Sequence, residues 1–88
     1  MKTIRLDISN IHMVRALHIY LAYMLELPAH YGKNLDALHD MLCEESVDVR
    51  ILLAGKASGE EMEKYLPRLM RVMEDCAQEN AHIYFERI

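Results

Sequence analysis

The side chains that could do chemistry in this 88-residue chain are mainly carboxylates, together with five histidines and two cysteines. Asp36 and Asp40 stand four residues apart and Glu44 follows at the same spacing, so one side of a helix would carry all three. Like charges at this spacing destabilise a helix by about 0.2–0.5 kcal/mol per pair, and only Lys33 is close enough in sequence to offset them. The spacing alone favours a solvated acidic face, and the sharper alternative is a patch that mimics phosphate charges for a basic groove.

The spacing of the histidines and cysteines predicts no metal centre. His39 lies between Asp36 and Asp40, yet adjacent residues diverge by about 100° around a helix and no second histidine follows four residues later. A metal-dependent hydrolase built on these three residues is therefore a weak alternative. Cys43 and Cys76 make no metal-ligand spacing along the chain, and we expect two free, buried thiols.

No enzyme motif is present. The three glycines are isolated, so neither of the Gly-rich loops that hold nucleotide phosphates occurs. We therefore expect a protein without catalytic activity, cofactor or metal ion. The remaining histidines that show no ligand spacing are expected at the surface, and these are His12, His18 and His82.

Composition predicts one folded domain over residues 1–88. The chain is 52% hydrophobic and 27% charged, which is typical of a soluble globular protein. Its net charge of −4 argues against nucleic-acid binding and favours a basic partner. No apolar stretch is long enough to cross a membrane, and the first residues lack the apolar core of a secretion signal, so we expect a cytoplasmic protein.

Three segments have the pattern of β-strands. The first and last alternate apolar and polar residues, whereas the middle one is an aliphatic, β-branched run that is typical of a buried strand in a parallel sheet. The segments are Lys2–Ile8, Val47–Leu53 and His82–Ile88.

Four segments between these strands have the three-and-four periodicity of helices. They are residues 11–27 after a cap at Ser9 or Asn10, 35–43 after a cap at Asn34, 60–65, and 67–80 with Pro67 in the first turn. Alternation of strands and helices implies right-handed crossovers. The order predicts a two-layer α/β fold, in which about four helices cover a three-stranded parallel sheet.

The first predicted helix is apolar nearly all round. Ile19, Tyr20 and Tyr23 occupy the face opposite Leu17 and Leu21. A helix of this kind is usually buried on both sides, so self-association through these three residues is an alternative to scattered surface exposure. The corresponding function would be a homodimeric scaffold without a nuclease target.

The segment Leu27–Leu42 resembles the barstar family of intracellular ribonuclease inhibitors. Its pattern is LPxxYGxNLDALxDxL, and the length, the order of elements and the acidic charge agree over nearly the whole chain. The resemblance implies the barstar-like fold and no catalytic activity. It also implies an inhibitor, or immunity protein, whose loop and second helix enter the active-site groove of a basic ribonuclease or ribonuclease-type toxin of bacterial origin.

Matching positions imply which residues contact that partner. Asp36 and Asp40 are the acidic contacts, and Asp40 takes the role of the carboxylate that mimics phosphate. The other implied contacts on the loop and helix, with Glu44 added at the rim, are Ala29, His30, Gly32, Asn34, Leu35 and His39. Asp75 and Glu79, near the end of the last helix, align with supplementary acidic positions. His30 and His39 stand where the family has aromatic residues, so a relative of barnase is the safer expected target.

Overall fold

Three strands alternate with three helices in the computed structural model, which describes residues 1–88. The elements are β1 (Lys2–Asp7), α1 (Val14–Met24), α2 (Leu35–Cys43), β2 (Val49–Ala54), α3 (Glu60–Glu79) and β3 (Ile83–Arg87). The strands pair in parallel in the order β1-β2-β3, with Ile51 opposite Ile4 on one side and Phe85 on the other. The α/β class and the three-stranded parallel sheet are confirmed.

The helices cover one face of the sheet. Alternate strand residues such as Ile4, Ile51 and Ile83 are buried, because successive side chains of a strand point to opposite faces. On the other face most side chains are exposed, although Leu52 is half-buried and Ala54 is buried, and Arg50 pairs with Glu86 there at 3.7 Å. None of the three helices combines the length and the apolarity that a membrane crossing requires.

The prediction of four helices is wrong, because α3 runs unbroken for 20 residues with Pro67 inside it. Proline has no N–H to donate to the carbonyl of Glu63, four residues earlier. Both side chains are exposed, so the carbonyl that loses its partner lies on the solvent side. Met62 and Leu69, on either side of the proline, are fully buried in the same core, and this shared packing holds the two predicted segments in one helix.

The start of α1 is also displaced from its prediction. The helix begins at Val14 and neither Ser9 nor Asn10 caps it. Instead the backbone N–H of Val14 donates to Glu61 Oε2 at 2.5 Å, so a side chain of α3 satisfies a free amide at the N-terminus of α1. Ser9 donates its own N–H to the Asp7 carboxylate in a turn after β1.

The second and third strands are shorter than predicted. β2 begins at Val49 and β3 at Ile83, so Asp48 and His82 lie just outside the sheet. Their side chains pair instead, with His82 Nδ1 2.8 Å from Asp48 Oδ1. This pair joins β2 and β3 at the end of the sheet where both strands begin.

Candidate functional site

The N-terminus of α2 is fixed by local sequence. The Asn34 side chain accepts a hydrogen bond from the Ala37 N–H at 2.8 Å, which caps the helix as predicted. Lys33 takes the left-handed backbone conformation just before it, with φ of 55°. A Cβ added at Gly32 would approach the Ala37 Cβ to 3.2 Å, so glycine allows this tight entry.

The C-terminus of α2 is held by α3. Asn80, immediately after α3, donates from its side chain to the carbonyl oxygens of Leu42 at 2.9 Å and Glu45 at 3.0 Å. The Leu42 carbonyl lies in the last turn of α2 and also accepts the Glu45 N–H at 3.3 Å, whereas Glu45 lies just beyond the helix. Both ends of α2 are therefore fixed, so its surface is a rigid support for side chains.

The loop before α2 is anchored by a histidine expected at the surface. That prediction is wrong, since His18 is fully buried and bonds to two tyrosine hydroxyls. Its Nδ1 lies 2.6 Å from the Tyr31 hydroxyl and its Nε2 lies 2.7 Å from the Tyr65 hydroxyl. Tyr31 belongs to the loop, and Ala29 and His30 beside it remain exposed. The loop is thereby joined to α1 and α3.

The acidic row of α2 is exposed and almost without partners. Asp36, Asp40 and Glu44 are all exposed. Asp40 comes within 3.9 Å of His39 Nδ1, and neither Asp36 nor Glu44 forms an ion pair. The Lys33 side chain pairs with none of them either. The three carboxylates are therefore free to meet cations from outside.

The last turn of α3 adds a fourth carboxylate to this surface. Glu79 Oε2 lies 3.3 Å from His39 Nε2, so Glu79 is beside α2. Asp75 is exposed and lines an open groove along α3 with Met70 and Gln78. No side-chain contact joins Asp75 to α2. Of the two supplementary acidic positions, only Glu79 contacts a residue of the α2 surface.

The backbone increases the negative potential of this surface. The C-termini of α2 and α3 both lie here, bridged by the side chain of Asn80. Each helix C-terminus carries the equivalent of roughly −0.5 charge. Neither helix has a basic residue in its last turn, and Glu44 and Glu79 stand there instead. The field therefore attracts cations, at some cost to the stability of both helices.

We use the term contact face for the loop, α2 and the adjoining end of α3. Every predicted partner contact other than Leu35 and His39 is exposed, and these two are half-buried. The predicted self-association residues lie elsewhere, on α1. Tyr23 is 81% exposed and Ile19 50%, but the Tyr20 hydroxyl accepts a hydrogen bond from the Asp7 N–H at 2.9 Å. Tyr20 is therefore part of the fold, and self-association stays an untested prediction.

The structure brings together three residues that the sequence spacing does not connect. Ligand-type atoms of His39, Cys43 and Cys76 all lie within 4.8 Å of one another, and both cysteines are free. Burial raises the pKa of both thiols, and that of Cys76 to about 12. Protonated thiols are poor nucleophiles, so the cluster lacks the lowered pKa of a catalytic cysteine.

The hydrolase hypothesis finds little support in this arrangement. His39 lies beside Cys43 and Glu79, with the Cys43 sulfur 3.7 Å from its Nδ1 and 3.6 Å from its Nε2. Asp36 contacts neither His39 nor Asp40 through a hydrogen bond or an ion pair, so the three residues do not form one group. The contact face instead offers a row of free carboxylates and no assembled catalytic group.

Fold and site together define a small α/β protein with an exposed acidic face on α2. The family model described as Barstar (barnase inhibitor) matches residues 1–86. The chain therefore belongs to the Barstar family, a family of inhibitors. No curated protein matches the sequence.

Proposed function

We propose that this protein inhibits a basic ribonuclease of the barnase type by placing its contact face in the active-site groove. Membership of the Barstar family supports the class of partner. The observation that supports the mode of binding is the exposed row of Asp36, Asp40 and Glu44, which has almost no partner within the protein. The secreted enzyme of a bacterium and a ribonuclease toxin would present the same chemistry.

The mechanism follows from charge and geometry. A ribonuclease groove must bind RNA phosphates, so it is lined with Arg, Lys or His. The negative contact face accelerates encounter with such a groove, an effect for which the barnase–barstar pair is itself a standard example. Once the faces meet, carboxylates replace phosphates and the body of the inhibitor excludes RNA. Asp40 is the residue proposed to pair with the cations at the centre of the groove.

The rigid support of α2 contributes to affinity. A side chain on a helix fixed at both ends loses less freedom on binding than one on a mobile loop. Asn34 and Asn80 fix those ends, and Tyr31 fixes the loop. The face is therefore organised before the partner arrives.

Two positions of the contact face that are aromatic in the family are histidines in this chain, and we expect this difference to alter which ribonuclease is bound most tightly. Aromatic side chains commonly supply the strongest contacts of an interface. His30 and His39 provide less apolar area and more hydrogen-bonding capacity, so we expect a target whose groove has polar groups opposite these positions. Barnase itself should be bound more weakly than the native target.

The test is inhibition of purified basic ribonucleases, barnase among them, by the wild type and by three variants. Asp40→Ala should weaken binding by about 2–5 kcal/mol, because the cations of the groove are left buried without a partner. Asp36→Ala should weaken binding less. Glu63→Ala is the matched control, since this exposed acidic residue lies on α3 outside the contact face. The proposal is contradicted if the protein inhibits none of these ribonucleases, or if Asp40→Ala binds as tightly as the wild type.

A further inference from the structure

Three potential metal ligands, the side chains of His39, Cys43 and Cys76, place their donor atoms within 4.8 Å of one another between α2 and α3, and Glu79 lies beside the first two. The Cys43 sulfur lies 3.6 Å from the Cys76 sulfur, 3.6 Å from His39 Nε2 and 3.4 Å from Glu79 Oε2. His39 Nε2 lies 3.3 Å from the same carboxylate oxygen. Two ligands come from consecutive turns of α2 and two from the last turns of α3.

These separations match the edges of a tetrahedron around Zn²⁺. Bond lengths of about 2.3 Å to sulfur and about 2.0–2.2 Å to nitrogen or oxygen give edges of about 3.8 Å between two sulfurs. The same bond lengths give about 3.5–3.6 Å from sulfur to nitrogen or oxygen, and about 3.4 Å from nitrogen to oxygen. Four of the six ligand pairs fall within about 0.2 Å of these values. The two remaining pairs, of Cys76 with His39 and with Glu79, would have to shorten when the metal binds.

We propose that His39, Cys43, Cys76 and Glu79 bind one Zn²⁺ ion that joins α2 to α3. Two thiolates and an imidazole favour zinc over calcium or magnesium, which prefer oxygen ligands. The helix C-termini add negative potential at the site, and no Lys or Arg side chain pairs with its members. Glu79 is 60% exposed and His39 34%, so the ion can enter from solvent.

Binding has a defined proton balance. Both thiols lose their protons to solvent as the sulfurs form bonds to zinc, and the imidazole and the carboxylate bind without losing one. The complete site would cross-link α2 and α3 at the end where Asn80 already joins them. It should therefore stabilise the folded protein in addition to binding the metal.

The test uses the reduced full-length protein and metal alone. Titration with Co²⁺ should give thiolate-to-cobalt charge-transfer absorption and the intense visible bands of a tetrahedral site, and Zn²⁺ should displace the Co²⁺ in a 1:1 ratio. Cys43→Ser and His39→Ala should each raise the dissociation constant for Zn²⁺ at least tenfold. Glu79→Gln should raise it less, because its position can be taken by water.

Two matched controls separate the site from general surface binding. His30→Ala removes an exposed histidine of the contact face, and Glu74→Gln removes an exposed carboxylate of α3, and both should leave the dissociation constant unchanged. Absence of the charge-transfer band, or equal affinities of His39→Ala and His30→Ala, would overturn the proposal. Should Cys43→Ser fail to fold, the His39 and Glu79 variants still decide the matter. Because no nuclease is present, the result does not depend on the proposed inhibition.

Discussion

Acidification below neutral pH should destabilise this protein through one residue, His18. The imidazole is fully buried between the hydroxyls of Tyr31 and Tyr65. Burial lowers the pKa of His18 below its ordinary value of 6.5. The folded protein therefore favours the neutral imidazole.

The sign and the upper limit of the effect follow from the unfolded chain. Below pH 6.5 the unfolded His18 binds a proton that the folded protein does not, so unfolding becomes more favourable as the pH falls. The contribution of neutral His18 to stability is fully present above the pKa of the unfolded state. It decreases as the pH falls below that value, and it stops decreasing once the pH reaches the lowered pKa of the folded state. One proton is worth about 1.4 kcal/mol per pH unit, so the total loss between about pH 8 and about pH 5.5 is at most about 1.4 kcal/mol.

Urea unfolding at several pH values measures this loss, with a chelator present to remove metal ions. The free energy of unfolding of the wild type should fall between pH 7 and 5.5, and His18→Gln should remove most of the slope. A variant in which the other four histidines become glutamine should keep the slope, and these residues are His12, His30, His39 and His82. This second variant remains informative even if His18→Gln does not fold.

Two results would refute the reasoning. One is a flat pH dependence of the wild type, and the other is a slope that disappears in the four-histidine variant. Protonation of Asp7 and Glu26, the carboxylates whose pKa values are shifted, does not interfere with the measurement, because it occurs at lower pH. Hydrogen bonds from Ser9 lower the pKa of Asp7 from 3.8, and pairing with Lys2 lowers that of Glu26 from 4.5. Their contributions are present above those values and are lost only as the pH falls below them.

Two further predictions test the helices. Pro67→Ala should stabilise the protein by about 2–3 kcal/mol in urea unfolding, because alanine restores the hydrogen bond to the Glu63 carbonyl inside a continuous α3. The control Gln78→Ala should change the stability little. A neutral or destabilising effect of Pro67→Ala would indicate two separate helices. Glu61→Ala should destabilise the protein by about 0.5–2 kcal/mol, because it removes the hydrogen bond that caps α1. The control Glu63→Ala, in the same turn of α3, should destabilise it clearly less. Equal effects of the two substitutions would show that the cap contributes nothing.

Local patterns in the sequence were sufficient for the order of the elements and for α2. The leucine spacing of α2 and its cap at Asn34 act between residues three or four apart, so they can be recognised without the fold. The same holds for the alternation of β1. The motif around Asp36 and Asp40 identified the family for the same reason, since it is continuous in the chain.

Features that depend on distant residues were missed. Glu61 caps α1 from 47 positions away, and the buried His18 is bonded to Tyr65, which is equally remote in the chain. The sulfurs of Cys43 and Cys76 meet across 33 positions. In the case of Pro67, shared core packing outweighed a strong local preference. Only tertiary structure brings these groups together, and no periodicity within one segment indicates them.

The two proposals place different ligands on one acidic surface, and the charges make them compatible. Before metal binding, the two protonated thiols are neutral and Glu79 carries one negative charge. After binding, the two charges of Zn²⁺ are balanced by two thiolates, so the site again carries one negative charge. Zinc would therefore fix the end of α2 without reducing the charge that attracts a basic groove. Asp40, one residue from His39, is not among the ligands of the proposed site and remains free to meet the partner.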